Sequence, residues 1–366
     1  MKGVNPVSAE SALEPRIVLW WGRFNSDYSR NRILRRLFAE LGWQVVDFHP
    51  IWSHVADVEA ALRGVLRPAL VWVPCFRQRD IPAAHRWARR HGVPMVIDPL
   101  ISAYDKQVDE KGKLDAAGGR ARRLLAWEQG LFSRADRVVA DTPAHAGYFS
   151  EKLGVPAPRT AIVYVGAEPG MFQPAPFESE DTPLEALFFG SFIPLQGPEV
   201  VVEAARLYAG PEVRWTLLGD GPLRKQCEAA ARGLSNVVFE DWLPYGELPG
   251  RIHRAGILLG IFGTTPKAGR VIPNKVYQAL ASGRPVVTRA SSAYPAALSE
   301  HARGGIAWVP AGDPQALATC VAGMAGDRAR LADVGQDARR VMDEYFSESV
   351  LRQQLKDLLD SVLERR

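Results

Sequence analysis

The sequence predicts an α/β protein built from two doubly wound parallel sheets that face a central cleft. In the first half, short β-rich apolar segments alternate with longer amphipathic ones, a pattern typical of βα units around a parallel sheet. The stretch Val165–Asp181 is rich in Pro, Gly and acidic residues and lacks periodicity, as linkers do. The alternation then starts again, so a second domain of the same class is expected.

The length agrees with two domains, since 366 residues exceed the roughly 100–200 residues of one ordinary domain. We expect a flexible leader at 1–14, an N-terminal domain at 15–176 and a C-terminal domain at 177–344. The final stretch, 345–366, is expected to be helical because its leucines recur at helical spacing from Val350 onwards.

Short apolar runs bounded by turn residues predict the strands. In the first half these are Arg16–Trp21, Gln44–Phe48, Ala69–Pro74, Pro94–Asp98, Arg137–Ala140 and Ala161–Val163, with a helix at Ser29–Leu41. In the second half they are Ala186–Phe189, Trp215–Leu218, Val237–Phe239, Ile257–Ile261 and Pro285–Thr288, with helices at Glu199–Ala209, Leu223–Arg232 and Val276–Ser282. Ligands of open α/β sheets bind outside the carboxyl ends of such strands.

Composition excludes several classes of protein. With 47% hydrophobic and 23% charged residues, the chain is neither disordered nor fibrous. Its apolar runs are too short to span a membrane, and its N-terminus lacks the apolar centre of a secretory signal, so we expect a cytoplasmic protein. Three cysteines and seven histidines have no metal-ligand spacing, and no bound metal is expected.

Two glycine-containing turns and one aromatic segment are candidates for nucleotide contacts. Gly190–Gly197 and Gly219–Gly221 each follow a predicted strand and precede a helix, where backbone amides can face a phosphate; ordinary turn geometry explains the glycines equally well. Trp242 follows another strand end and suits either stacking on a planar base or ordinary packing.

The most informative segment runs from Thr264 to Val287. It places Lys267, Arg270 and Lys275 around a Pro-containing loop that leads into a short helix. Fixed cations beside a helix N-terminus suit a departing diphosphate, whose negative charge must be neutralised. A solvated loop would also explain the cations, but not their position around Pro273 and Asn274.

The order of these motifs resembles the C-terminal domain of the GT-B nucleotide-sugar glycosyltransferases, specifically the retaining family 4. The similarity rests on Phe188–Gly190, Gly219–Gly221, Asp241–Pro244 and Asn274–Val287. Two further segments are similar to that family's last N-terminal-domain strand and its interdomain connector: Asp136–Thr142 and Val163–Phe172.

The resemblance implies transfer of a sugar from a nucleotide diphosphate donor, with UDP expected and GDP as the alternative, to an acceptor hydroxyl with retention and without a permanent cofactor. It places base and ribose at Gly219, Asp220, Gly221, Trp242, Leu243 and Gln278. It places the diphosphate at Gly190, Ser191, Ile272, Pro273, Asn274, Lys275 and Val276. The C-terminal helix would cross back onto the N-terminal domain, and no nucleic acid is expected as a partner.

Several positions depart from the family pattern. Ser191 and Gln196 stand where the family often has basic residues, and Arg270 and Gln278 stand where it has paired glutamates. Leu100 replaces its histidine. We therefore expect Arg270 and Lys275 to act catalytically, by stabilising the departing diphosphate in place of the lost cations.

The acceptor is expected to bind at the N-terminal domain. Candidate residues follow the first and fourth strands, namely Gly22, Arg23, Phe24, Asn25, Asp98, Tyr104 and Asp105, although Asp98 could equally cap a turn and Tyr104 could equally pack. The acceptor itself, whether glycan, lipid-linked sugar or small molecule, is not encoded in a readable motif.

A membrane contact is a further expectation, with a solvated surface as its alternative. The helix Ser29–Leu41 carries Arg30, Arg32, Arg35 and Arg36, and a basic amphipathic helix can lie on an anionic bilayer. Residues 1–176 contain 24 Lys and Arg against 18 Asp and Glu, a net charge of +6.

Two other functions remain open from the sequence. One is an isomerase on the same architecture, such as a UDP-sugar 2-epimerase, which clustered acids and histidines in the cleft would favour. The other is a non-catalytic subunit that binds sugar nucleotides, which the missing glutamates permit.

Overall fold

The structure is a computed structural model that describes residues 16–168, 170–177, 183–300 and 304–364. The expected leader at 1–14 lies outside the described residues. The described chain forms two six-stranded parallel sheets, each covered by helices on both faces. We refer to the parts around the first and second sheets as the N-terminal and C-terminal domains.

The N-terminal sheet has the strand order β2-β1-β3-β4-β5-β6. The direction in which successive strands are added to the sheet reverses between β1 and β3. These two strands are parallel neighbours, with Val18 paired with Leu70. Its strands are β1 Arg16–Trp21, β2 Trp43–Phe48, β3 Leu70–Val73, β4 Met95–Ile97, β5 Arg137–Ala140 and β6 Thr160–Ile162. Its helices are α1 Ser29–Glu40, α2 Ala56–Leu62, α3 Ile81–His91, α4 Gly119–Phe132 and α5 Pro143–Glu151, with a π-helical turn at Asp105–Glu110.

The C-terminal sheet has the order β12-β11-β10-β7-β8-β9 and reverses between β7 and β10. Its strands are β7 Leu184–Phe189, β8 Val213–Leu218, β9 Val237–Glu240, β10 Ile257–Leu259, β11 Val286–Arg289 and β12 Ile306–Val309. Its helices are α6 Pro198–Leu207, α7 Arg224–Ala230, α8 Leu248–His253, α9 Asn274–Ala281, α10 Ala296–Glu300, α11 Pro314–Gly326 and α12 Leu331–Tyr345. The edge strand β12 was not predicted.

The last helix, α13 (Glu348–Leu363), packs against the N-terminal domain rather than the domain that precedes it. Arg137 in β5 donates from its guanidinium to the backbone carbonyl of Ser361 at 2.8 Å. The backbone N–H of Tyr164 donates to Gln354 Oε1 at 3.1 Å. The expected crossing of the C-terminal helix is thereby confirmed.

Side-chain burial divides into one core on the outer side of each sheet, a third between the domains and a small fourth cluster around Tyr104. The third core continues from α1 and the N-terminal sheet through the linker to α9, α12 and α13. At its centre the ring of Phe346 lies edge-on to Tyr164 on one side and Tyr277 on the other, with centroids 5.1 Å away in both cases. Among the described residues, no helix is long and apolar enough to cross a membrane.

Candidate functional site

The loops after β7 and β8 are pressed together at the carboxyl edge of the C-terminal sheet. The N–H of Gly190 donates to the carbonyl of Leu218 at 2.9 Å. Gly219 has φ 129°, and a Cβ there would lie 2.0 Å from the carbonyl oxygen of Gly190, so no residue with a side chain fits. The Gly190 amide that we expected to face a phosphate is therefore already bonded within the sheet, whereas Ser191 stays partly exposed.

Helix α9 begins at Asn274, with its N-terminus beside the β7 loop. Lys275 Nζ donates to Gln196 Oε1 at 2.7 Å and lies 3.6 Å from the ring centroid of Phe188. Lys275 is only 5% exposed, and burial lowers its pKa well below the ordinary value because a charge is poorly solvated there. No carboxylate of the described residues forms an ion pair with it.

The other residues expected around this helix divide into two groups. Pro273 and Asn274 are partly exposed. The side chains of Ile272 and Val276 are 2% and 0% exposed and belong to the interdomain core. At these two buried positions only the backbone is available to a ligand.

Trp242 projects into solvent beside the turn after β8, with 63% of its surface exposed. It lines an open hollow together with Asp220, Gly221 and Arg224. Arg224, which also lines the hollow, donates to the backbone carbonyls of Gly219 and Glu240. The structure thus brings together three of the residues expected at the nucleotide, while Leu243 is half-buried and packs against the interdomain core.

Gln278 is buried and belongs to a hydrogen-bond chain that crosses the linker. Its Nε2 donates to Tyr245 Oη at 3.2 Å, and that hydroxyl donates to Glu168 Oε2 at 2.6 Å. Glu168 also accepts from Arg32 on α1 at 2.5 Å. We did not predict Tyr245 or Glu168 as site residues, although Glu168 lies in the connector-like segment Val163–Phe172.

Arg270 does not carry an uncompensated charge into the cleft, contrary to our expectation. Its guanidinium donates to Asp105 Oδ1 at 2.6 Å and to Asp109 Oδ2 at 3.4 Å, both in the π-helical turn of the N-terminal domain. Lys267 pairs with Glu110 of the same turn. The carbonyl of Arg270 accepts from Thr142 Oγ1 at 2.6 Å. This loop therefore holds the two domains together.

Asp105 is the centre of a buried charge cluster. Its Oδ2 lies 3.9 Å from His145 Nε2, and His145 Nδ1 contacts Asp141. Burial alone would lower the pKa of His145, but the two carboxylates outweigh it and raise the pKa to about 9. Burial would likewise raise the pKa of Asp105, but His145 and Arg270 outweigh it and lower that pKa. His145 and Asp141 were not predicted, because nothing in the sequence places them beside Asp105, which lies far earlier in the chain.

Two of the residues expected at the acceptor are structural instead. Asp98 is fully buried and accepts from Arg30 Nε at 2.7 Å. Tyr104 is 3% exposed and packs with Val108 and Ala121. Neither side chain reaches the cleft. The packing alternative is correct for Tyr104, whereas Asp98 forms a buried ion pair with Arg30. Asp105 is paired with Arg270.

The loop after β1 remains as the accessible part of the expected acceptor region. Arg23 and Asn25 are exposed, and Phe24 is partly exposed. Gly22 has φ 131°, and a Cβ there would lie 2.9 Å from Asp80 Oδ2. Gly22 thus fits against the turn that precedes α3 and leaves the next three side chains at the mouth of the cleft.

The arginines of α1 do not form a free basic surface. Arg30 pairs with Asp98, Arg32 with Glu168, Arg35 with Asp47 and Arg36 with Glu348. Each of these cations has a carboxylate partner within 2.7 Å. The membrane contact that we expected from this helix is therefore not supported by its charge.

Two family descriptions match consecutive parts of the chain. Residues 15–166 match the glycosyl transferase 4-like domain, and residues 183–327 match the glycosyl transferases of group 1. The first belongs to the N-terminal domain and the second to the C-terminal domain. Each domain thus matches a glycosyl transferase description of its own, and the group 1 description covers the C-terminal domain alone.

Curated relatives carry glycosyltransferase names. WcaL of Escherichia coli K12, named for colanic acid biosynthesis, is 28% identical over 64% of this chain and 59% of its own length. The amylovoran biosynthesis glycosyltransferase AmsK of Erwinia amylovora is 27% identical over 57% of this chain and 52% of its own length. A D-inositol 3-phosphate glycosyltransferase of Thermobispora bispora is 28% identical over 83% and 75%. The chain thus spans little more than half of the first two relatives.

Solved structures share the fold. Sucrose-phosphate synthase from Thermosynechococcus elongatus superimposes with a TM-score of 0.72 at 16% identity, covering 96% of this chain and all of the other. HepE of Anabaena, solved with UDP, has a TM-score of 0.71 at 15% identity, covering 94% of this chain and all of that one. The GT-B architecture expected from the sequence is confirmed.

Proposed function

We propose that this protein transfers a sugar from a nucleotide diphosphate donor, with UDP as the nucleotide, to an acceptor hydroxyl at the N-terminal side of the cleft. Transfer proceeds with retention at the sugar and without a bound metal. The observation that carries the proposal is the position of Lys275, a buried amine at the start of α9 beside the loop that follows β7. HepE was solved with UDP and with UDP-glucose, which supports the choice of donor.

Lys275 suits a departing diphosphate because no carboxylate among the described residues pairs with its amine. Its partners, the Gln196 amide and the Phe188 ring, are uncharged. Gln196 stands where the family often has a lysine, and Lys275 Nζ lies 2.7 Å from Gln196 Oε1, so Lys275 places an amine beside that position. Burial disfavours the protonated amine, so a bound diphosphate would favour that form, and a charge held away from bulk water stabilises a leaving anion strongly.

Arg270 acts as a positioning residue in this proposal. Its pairing with Asp105 and Asp109 holds the loop before α9 against the N-terminal domain and so fixes where Lys275 stands. The acceptor lies near Arg23, Phe24 and Asn25. Since the departing phosphate oxygen takes the acceptor proton, no protein base is assigned.

Turnover of a donor panel tests the function. UDP-, GDP- and dTDP-sugars are incubated with the full chain in the presence of EDTA, and nucleotide release and the anomeric configuration of the product are measured. We expect UDP release with retention. A 2-epimerase would interconvert the sugars without releasing nucleotide, and a non-catalytic subunit would bind UDP but turn over none of the donors; either result contradicts the proposal.

A further inference from the structure

An exposed apolar surface follows β2 in the N-terminal domain. Of the eleven large apolar side chains that are exposed among the described residues, six fall within residues 51–66. We call these six the α2 patch: Ile51, Trp52, Val55, Val58, Leu62 and Leu66. Their exposed fractions run from 50% for Val55 to 84% for Leu62. So dense a cluster marks an interaction surface.

Helix α2 is amphipathic in the reverse of the usual sense. An ordinary surface helix buries its large apolar side chains and exposes polar ones. Here the buried positions include Ala56 and Ala60, whereas Val55, Val58 and Leu62 share the exposed side at helical spacing. The small residues pack on the domain, so the large ones are left for a partner.

The surroundings of the patch are basic. Residues 49–92 contain seven arginines and three acidic residues. The three acids are already paired within this region, as Asp57–Arg86, Glu59–Arg63 and Asp80–Arg77. The exposed arginines that remain, with no ion pair to any residue in the described ranges, are Arg67, Arg79, Arg89 and Arg90. A partner that covers the patch thus meets net positive charge.

We propose that the α2 patch docks on an anionic lipid bilayer. Exposed Trp, Leu and Val side chains on a stretch of chain with net positive charge suit the boundary between acyl chains and anionic headgroups. A second copy of this chain fits less well, because two identical patches would bring like charges together.

The patch adjoins the mouth of the cleft. The ring of Phe24 lies 4.7 Å from that of His49, two residues before Ile51, and the N–H of Gly22 donates to the carbonyl of Phe48 at 2.9 Å. A bilayer on the α2 patch therefore lies beside the loop Gly22–Asn25. This inference stands on the surface alone and does not require the proposed donor or reaction.

Vesicle sedimentation of the full chain tests the inference without an activity assay. Vesicles of phosphatidylcholine alone are compared with vesicles in which about one third of the lipid is phosphatidylglycerol. We expect binding to the anionic vesicles that weakens with salt. The double variant Leu62→Gln/Leu66→Gln should bind at least about tenfold more weakly, and Arg67→Gln/Arg90→Gln should lose about fivefold per arginine.

Matched variants in the C-terminal domain serve as controls. Leu207 is 39% exposed and Arg232 is exposed, so Leu207→Gln and Arg232→Gln change the same chemistry elsewhere, and circular dichroism checks that all variants are folded. Absence of the wild type from the anionic vesicle pellet overturns the proposal, as does equal weakening by the controls. A dimer in sedimentation equilibrium that Leu62→Gln/Leu66→Gln dissociates, without vesicle binding, assigns the surface to a second copy instead.

Discussion

Arg270 of the C-terminal domain and Asp105 of the N-terminal domain form an ion pair of 2.6 Å across the cleft. Asp105 is 0% exposed, and Arg270 keeps 17% of its side-chain surface in contact with solvent. The cation that the sequence suggested for the donor is thus used to join the domains.

Asp105→Asn should destabilise the protein by about 3 kcal/mol, since it removes the buried carboxylate that Arg270 and His145 share and leaves them only Asp109 and Asp141 as partners. Chemical denaturation followed by circular dichroism measures this free energy. Asp343→Asn is the control, because Asp343 pairs with Arg339 at the surface and is 54% exposed; its loss should cost less than about 1 kcal/mol. Equal effects of the two variants would contradict a buried interdomain cluster.

Lys275→Met should lower kcat for donor turnover about 100-fold without lowering stability at neutral pH. The pKa of Lys275 is lowered by burial, so the unfolded chain holds this proton to higher pH than the folded protein, and the charged form disfavours folding until the pH rises. Turnover and thermal unfolding of the variant are compared with Lys356→Met, which changes an exposed lysine on α13. Loss of activity together with a lower unfolding midpoint would indicate a structural role instead.

Trp242→Ala should weaken UDP binding about fivefold, because a stacked ring contributes about 1 kcal/mol. Its 63% exposure predicts a change in stability within about 0.5 kcal/mol. Isothermal titration calorimetry with UDP gives the affinity. Trp127→Ala, which changes a tryptophan that is 41% exposed on the other domain, should leave the affinity unchanged, and the same affinity in both variants would place the base elsewhere.

Stability should decline on the alkaline side of neutrality through His145. Its folded-state pKa of about 9 lies above the unfolded value of about 6.5, so its contribution is complete below the unfolded value and is lost as the pH rises through about 9. Thermal unfolding from pH 6 to pH 10 should show a falling midpoint that is flatter in His145→Gln. The control His54→Gln, at an exposed site, should keep the wild-type slope.

The fold was largely predictable because apolar periodicity and turn residues are local signals. Strands β1 and β5 have the predicted bounds, and each of the other predicted strands differs from its predicted bounds by one or two residues at one or both ends. Strand β12 was missed because Ile306–Val309 is a short edge strand with two half-buried residues. The short helix α2 was missed because its buried side consists of alanines, which give little apolar periodicity.

The candidate site was less predictable because its contacts join distant segments. Nothing around Arg270 in the sequence indicates that Asp105, 165 residues earlier, is its partner. Asp98 stands at a strand end like a functional carboxylate, and only the position of Arg30 shows that it is buried and paired. Residue type and motif order predicted the helix that starts at Asn274. They did not indicate that Arg270 is paired with a carboxylate whereas Lys275 is not.

The path of α13 sets the order in which the protein is completed during synthesis. The N-terminal sheet leaves the ribosome long before Leu351 and Leu355, two residues of α13 that belong to the core between the domains. A premature stop before Glu348 would therefore damage the domain made first, by leaving Gly166 and Tyr164 without the helix that covers them. Proteases should therefore cleave such a truncated chain first within the N-terminal domain.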